Sequence, residues 1–176
     1  MNKRFSLKAL ALAVSAAFLF SANANAQATN NGNVTLNLDL RNVVDFVVNT
    51  ASTTLVFDTY GKYNAGVTKQ EADQFVISSN NPYKVEVKAS AANFVGTGAN
   101  TQTIPVSDVN VKIYNTIDGG TQSAVDLSSS NQVLSTGATA VLNRSYSIEY
   151  FAKGGNNFLV KADIYTTTLT YTATQL

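Results

Sequence analysis

Residues 162–173 read Ala-Asp-Ile-Tyr-Thr-Thr-Thr-Leu-Thr-Tyr-Thr-Ala, and the chain ends three residues later. Tyr165, Thr167, Leu169 and Tyr171 fall on one face and Thr166, Thr168, Thr170 and Thr172 on the other. This is a period of two in β-branched and aromatic residues, which predicts a strand. A terminal strand of this length needs neighbours, because a bare edge presents a row of unpaired backbone donors and acceptors. Near the opposite end, residues 33–40 repeat the pattern, with Val34, Leu36, Leu38 and Leu40 on a single face. Between them, Tyr83, Val85, Val87 and Ala89 alternate with Lys84, Glu86 and Lys88. The charged face belongs in water and the other in a core, as antiparallel sheets allow.

Further strands are expected at 43–48, 54–57, 75–78, 109–114 and 146–150. The amides and proline of Ser79-Asn80-Asn81-Pro82 predict a hairpin turn between 75–78 and 83–89, and Asp118-Gly119-Gly120 a turn after 109–114. Residues 58–73 carry charge and glycine with little periodicity and read as a long connection, with a helical turn at 69–72. Residues 94–103 read as a polar loop, and Phe158, Leu159 and Val160 as an apolar step into the last strand. Seven or eight strands and no helix of substance give an all-β fold class, an Ig-like antiparallel β-sandwich.

The chain opens with Lys3, Arg4 and Lys8, an apolar run over 9–20, and small residues at alternate positions up to Ala26. This predicts a signal peptide over 1–26, too short in its apolar part to span a membrane. An N-terminal extension over 27–41 and a β-sandwich domain over 42–176 follow. Without the three basic residues of the leader, nine basic residues face eleven acidic ones, a net charge of −2. No basic field is left for nucleic acid, and no membrane insertion of the mature chain is expected. There is no cysteine or histidine anywhere in the chain. Catalysis by a nucleophile with a histidine base, and zinc held by histidine or cysteine, are therefore excluded.

Nothing in the spacing of Asp39, Asp45, Asp58, Asp73, Asp108, Asp118, Asp126, Asp163 and the three glutamates selects a catalytic carboxylate pair. Asp108 with Asn110, and Asp118 beside Gly119, offer hard oxygen ligands to calcium, but neither loop matches a calcium consensus. No cofactor and no enzymatic activity are expected. Tyr60 and Tyr63, around Gly61 and Lys62, are candidates for a sugar-stacking surface.

The order of these segments resembles the layout of bacterial chaperone-usher pilins of the archaic branch, related to the spore coat protein U domain. The residues that carry the likeness are the alternating run 33–40, Leu55-Val56-Phe57, Phe75-Val76-Ile77-Ser78-Ser79-Asn80-Asn81-Pro82-Tyr83, and the tyrosine- and threonine-led terminal strand to Tyr171. Five residues, 172–176, continue beyond that tyrosine. The resemblance implies an Ig-like sandwich lacking one strand, with the gap filled first by a periplasmic chaperone and then by the N-terminal extension of the next subunit, and with an outer-membrane usher as a further partner. Val34, Leu36, Leu38 and Leu40 would be the donor residues, and Leu169 and Tyr171 would line the acceptor groove. The product would be a surface filament supporting adhesion or biofilm formation. Alternation alone does not separate this from a self-contained secreted sandwich, with 34–40 as its first strand, that binds carbohydrate.

Overall fold

The structure, a computed structural model, describes residues 30–176; the leader expected over 1–26 lies outside the described residues. Residues up to Asp39 and residues from Leu40 to Leu176 form two separate units. The first, over 30–39, contains no ladder, and Val34, Leu36 and Leu38 are exposed.

The second unit is all-β apart from one six-residue helix, and its strands form antiparallel sheets as expected. Its elements are β1 (Val44–Val48), α1 (Tyr60–Ala65), β2 (Val67–Ser79), β3 (Tyr83–Ala89), β4 (Asn93–Gly96), β5 (Thr103–Pro105), β6 (Val109–Tyr114), β7 (Thr121–Gln122), β8 (Val125–Asp126), β9 (Gln132–Ala138), β10 (Val141–Ala152), β11 (Tyr165–Thr166) and β12 (Leu169–Gln175). One sheet has the order β1-β2-β10-β6-β8 and another β12-β3-β9-β7. A small sheet, β11-β4-β5, flanks them.

The core follows from the alternation. Phe75, Ile77, Val111, Ile113, Tyr146, Ile148 and Tyr150 come from the first sheet, and Tyr83, Val85, Val87, Ala89, Leu134 and Ala138 from the second, all in one buried cluster. Lys88 is exposed, but Glu86 is largely sheltered and pairs with Lys84 at 3.0 Å.

Several expectations are corrected. Residues 75–78 and 83–89 are not a hairpin: β2 pairs with β1 and β10, while β3 pairs with β9 and β12. The 79–82 corner carries the chain from one sheet to the other, a reversal served by the same residue types as a hairpin turn. The helical turn expected at 69–72 is instead part of the thirteen-residue β2. Gln70 donates to Glu149 on β10 at 2.6 Å, and Lys112 on β6 pairs with the same carboxylate at 2.7 Å. Of the charges that disguised this strand, Lys69 pairs with Glu71 two positions on at 3.5 Å, and Asp73 accepts from Ser145 Oγ on β10 at 2.6 Å. A bulge lies just beyond, with Asp73 at φ 50° and its N–H donating to Ser147 Oγ, which breaks the alternation there.

Residues 94–103 are not a loop throughout, since β4 and β5 pair. Residues 54–57 carry no ladder and are not a strand, and Asn156–Phe158 is a 3-10 turn. The terminal stretch is two strands, β11 and β12, although the inward and outward alternation runs unbroken from Tyr165 to Gln175.

In place of a disulfide, one end of the sandwich carries a buried polar chain. Arg144 Nη1 donates to the Tyr83 hydroxyl at 3.1 Å, and the Tyr83 and Tyr146 hydroxyls lie 2.8 Å apart. The Tyr146 hydroxyl in turn donates to Asp118 Oδ2 at 3.2 Å, while the Gly120 N–H donates to Asp118 Oδ1 at 3.0 Å. Burial pushes the Asp118 carboxyl up, but the hydrogen bonds donated to it, those of the Gly120 amide and Tyr146 included, outweigh burial and hold it below the ordinary value of 3.8. Its contribution to stability is therefore present above the ordinary carboxylate range and lost as pH falls through the lower folded-state value. Asp118→Asn is expected to be less stable than the native chain at neutral pH by about 1–3 kcal/mol. The difference should shrink on acidification below pH 4 or so, as denaturant unfolding at a series of pH values would show.

Candidate functional site

The first and second sheets each end on an edge strand, β1 and β12, and an open apolar groove of about 970 Å³ lies between these edges. One wall is β1 through Phe46 and Val48, continued by residues 50–57. The opposite wall is residues 161–168 and the start of β12, with Leu169 and Tyr171 facing in. Gln74, Phe75, Leu127, Tyr150 and Phe158 are among the residues between them.

The first wall is held by its ends and by side chains. The N–H groups of Asn49 and Thr50 both donate to the Gln74 carbonyl, at 2.8 and 3.1 Å, and stop β1 there. Thr53 Oγ1 donates to Glu71 Oε1 at 2.6 Å. Phe57 stacks on Phe158 at 4.7 Å between ring centroids and packs against Tyr63 at 5.4 Å. Residues 50–58 belong to no ladder, so this wall has no strand hydrogen-bonded beside it.

Aromatic rings form much of the floor. Phe75 stacks on Phe46 at 4.8 Å and on Tyr146 at 5.2 Å, and meets Tyr171 at 5.0 Å. These contacts tie the two edge strands to the middle of the first sheet. Tyr150 donates to Gln74 Oε1 at 2.8 Å, and its oxygen lies 2.7 Å from the Tyr171 hydroxyl. Burial pushes both phenols up, so they stay protonated and satisfy one another in an otherwise apolar floor.

Past Tyr171, beyond the residues that line the groove, β12 is tied to the other sheet. On β12 the inward face that carries Leu169 and Tyr171 ends in Gln175, whose Nε2 donates to Val43 O at 2.7 Å, Ser79 Oγ at 3.0 Å and Asn80 Oδ1 at 3.0 Å. The side chain thus bridges the last strand of one sheet to the β1–β2 corner of the other. At the far end, around Phe57, Tyr63 and Phe158, the ties are the Gly155 N–H, which donates to the Tyr63 carbonyl at 2.7 Å, and the Phe57–Phe158 stack, and neither involves β12.

The sequence-derived candidates are distributed as follows. Leu169 and Tyr171 line the groove. Val34, Leu36, Leu38 and Leu40 are 93%, 84%, 80% and 88% exposed, a full row of alternating apolar side chains in water. Tyr60 is exposed while Tyr63 turns in against Phe57, so the two rings do not form one stacking platform. Asn110 Nδ2 donates to Asp126, and Asn157 Nδ2 donates to Asp108, so the calcium candidates Asp108 and Asn110 have separate partners. Among the described residues no group of three acidic side chains is placed to hold a metal ion. Nor is any helix among them long and apolar enough to cross a membrane.

Sequence reading missed Gln74, Phe75 and Tyr150 as groove residues, because each looks like an ordinary core position of its own strand. Gln175 carried a signal, since it stands on the inward register of an otherwise apolar and aromatic face. No protein-family model matches the chain, and no curated protein sequence matches it.

Proposed function

We propose that the chain is an exported structural subunit of a bacterial surface filament, polymerising head to tail by donating residues 34–40 to the groove of the next copy. One observation carries the reading: four alternating apolar side chains stand in water in a chain whose sandwich has an open apolar groove between two edge strands. Each such side chain, once buried, contributes about 1.5–3 kcal/mol, and backbone pairing along the groove walls adds to this and fixes register. Donor and acceptor surfaces differ, so the contact is heterologous and propagates. In this reading a periplasmic chaperone fills the groove before the next subunit's extension does, and an outer-membrane usher is a further partner, as the family resemblance implies.

The Gln175 bridge sets the polarity of the inserted strand. The donor enters from the end away from Gln175, and the chain that tethers it to its own subunit leaves by the same end. Val34 then lies toward Tyr171 and Phe46, and Leu40 toward Phe57 and Phe158. Because the native chain has no cysteine, engineered pairs report this without ambiguity.

Material from the cell surface, run on a denaturing gel, should show a ladder of multiples that collapses only on boiling. In that polymer, Leu40→Cys with Phe57→Cys should crosslink neighbours, while Val34→Cys with Phe57→Cys should not, since a disulfide needs Cα atoms within about 7 Å. A single monomer band before and after boiling would overturn strand donation. The reverse crosslinking pattern would overturn its polarity.

A further inference from the structure

The chain between the extension and the sandwich is short and held in place. Asn80 Nδ2 donates to Arg41 O at 2.7 Å, and the Val43 N–H donates to Asn80 Oδ1 at 2.9 Å. Asn81 Nδ2 donates to Asn42 Oδ1 at 2.8 Å, and Gln175 Nε2 holds the Val43 carbonyl at 2.7 Å. Residues 41–43 are thereby fixed on the 79–82 corner. Leu40, the last of the alternating apolar positions, immediately precedes them.

This geometry has a consequence for a filament, and it rests on the strand donation proposed above. When Leu40 is seated in a neighbour's groove, two Cα–Cα steps separate it from Asn42, which is pinned to its own sandwich. Two steps reach at most about 7 Å. Sandwiches tethered that closely have their facing ends in contact.

We propose a second subunit–subunit surface, formed between the corner end of the donor copy and the groove mouth of the acceptor copy. On the donor side it comprises Val43 and Leu176. Both are exposed, and the Leu176 N–H is bonded to the Pro82 carbonyl at 2.9 Å, which places it at the same corner. On the acceptor side it comprises Tyr60 and Leu159, also exposed. Tyr60 opens the helix whose Tyr63 lines the groove mouth, and Leu159 follows Phe158 there. Apolar side chains stand at both ends, and the occupant of each end is a second copy of this chain. A heterologous contact of this kind sets a fixed angle between successive subunits, so the filament is stiff.

Two full-length variants test it. One carries Gly-Ser-Gly-Ser inserted between Leu40 and Arg41, which lengthens the tether and leaves every donor residue intact. The other is Tyr60→Ser with Leu159→Ser, which removes the acceptor side at exposed positions and should not change the unfolding temperature. Both are expected to keep the boiling-sensitive ladder and to form filaments whose persistence length in electron micrographs falls severalfold. Filaments as straight as the native ones in either variant would overturn the end contact while leaving strand donation standing. Absence of a ladder from the native chain would overturn strand donation, and this inference with it.

Discussion

Leu36→Asp combined with Leu38→Asp is expected to abolish the boiling-sensitive ladder and leave the folded domain as stable as the native one. The first half of this result follows from where the two side chains go in a filament. Each leucine gives up about 1.5–3 kcal/mol of burial, and each aspartate must be taken into a groove floored by Phe75 and Tyr150. Lys161, the cation in the groove lining, is exposed and not part of the floor, so a carboxylate over Phe75 and Tyr150 is unpaired and costs several kcal/mol more or leaves the strand unseated. Either way the loss exceeds what the remaining Val34 and Leu40 recover. The second half follows from exposure: both leucines are in water in the single chain, so replacing them removes no packing. Thermal unfolding of the monomer, set beside gel analysis of the polymer, reads both halves. If residues 34–40 were the first strand of a self-contained sandwich, the same double substitution would unfold the domain, and a fallen unfolding temperature would show it.

The parts of the fold that could be read in the sequence are those in which apolar residues alternate strictly with polar ones. Strands β3, β6 and β12 and the Tyr146–Tyr150 part of β10 meet that condition, and their apolar residues face the core as the alternation puts them, although Glu86 and Ser147 on the other faces are sheltered too. Strand β2 does not. Its first half puts Lys69 and Gln70 in water, and its middle bulges at Asp73, so its identity as a strand depends on β10 lying beside it. The 79–82 corner failed for a different reason. Asparagine and proline favour reversal of the chain, but they do not say whether the two strands so joined pair with each other or belong to separate sheets. The groove was legible from one side only. Leu169 and Tyr171 are visible because the last strand is regular, whereas the opposite wall at 50–57 carries no ladder and the floor is assembled from β2, β10 and the turn at Phe158. A site made from several distant segments leaves no local pattern.

Phe75→Ala is expected to have the largest effect of any single substitution in the sandwich, lowering its stability by about 3–5 kcal/mol. For a domain of this size that corresponds to a fall of about 6–20 °C in Tm. Phe75 is fully buried and makes three ring contacts, with Phe46 on β1, Tyr146 on β10 and Tyr171 on β12. Its removal leaves a cavity where the two edge strands and the first sheet meet, and nothing in a rigid aromatic cluster is free to fill it. The loss should also reach the groove, because Phe46 and Tyr171 form facing walls and lean on the same ring. Phe75→Leu keeps part of the volume and should recover part of the stability. At a temperature where both variants are fully folded, Phe75→Ala should still form a weaker ladder than the native chain, one that collapses well below boiling. Tyr60→Ser should match the native ladder in heat resistance, since that ring lies outside the groove. If Phe75→Ala unfolds early but its polymer resists heat as the native polymer does, then the inserted strand does not rest on the Phe75 floor. The groove between β1 and β12 would then not be its seat.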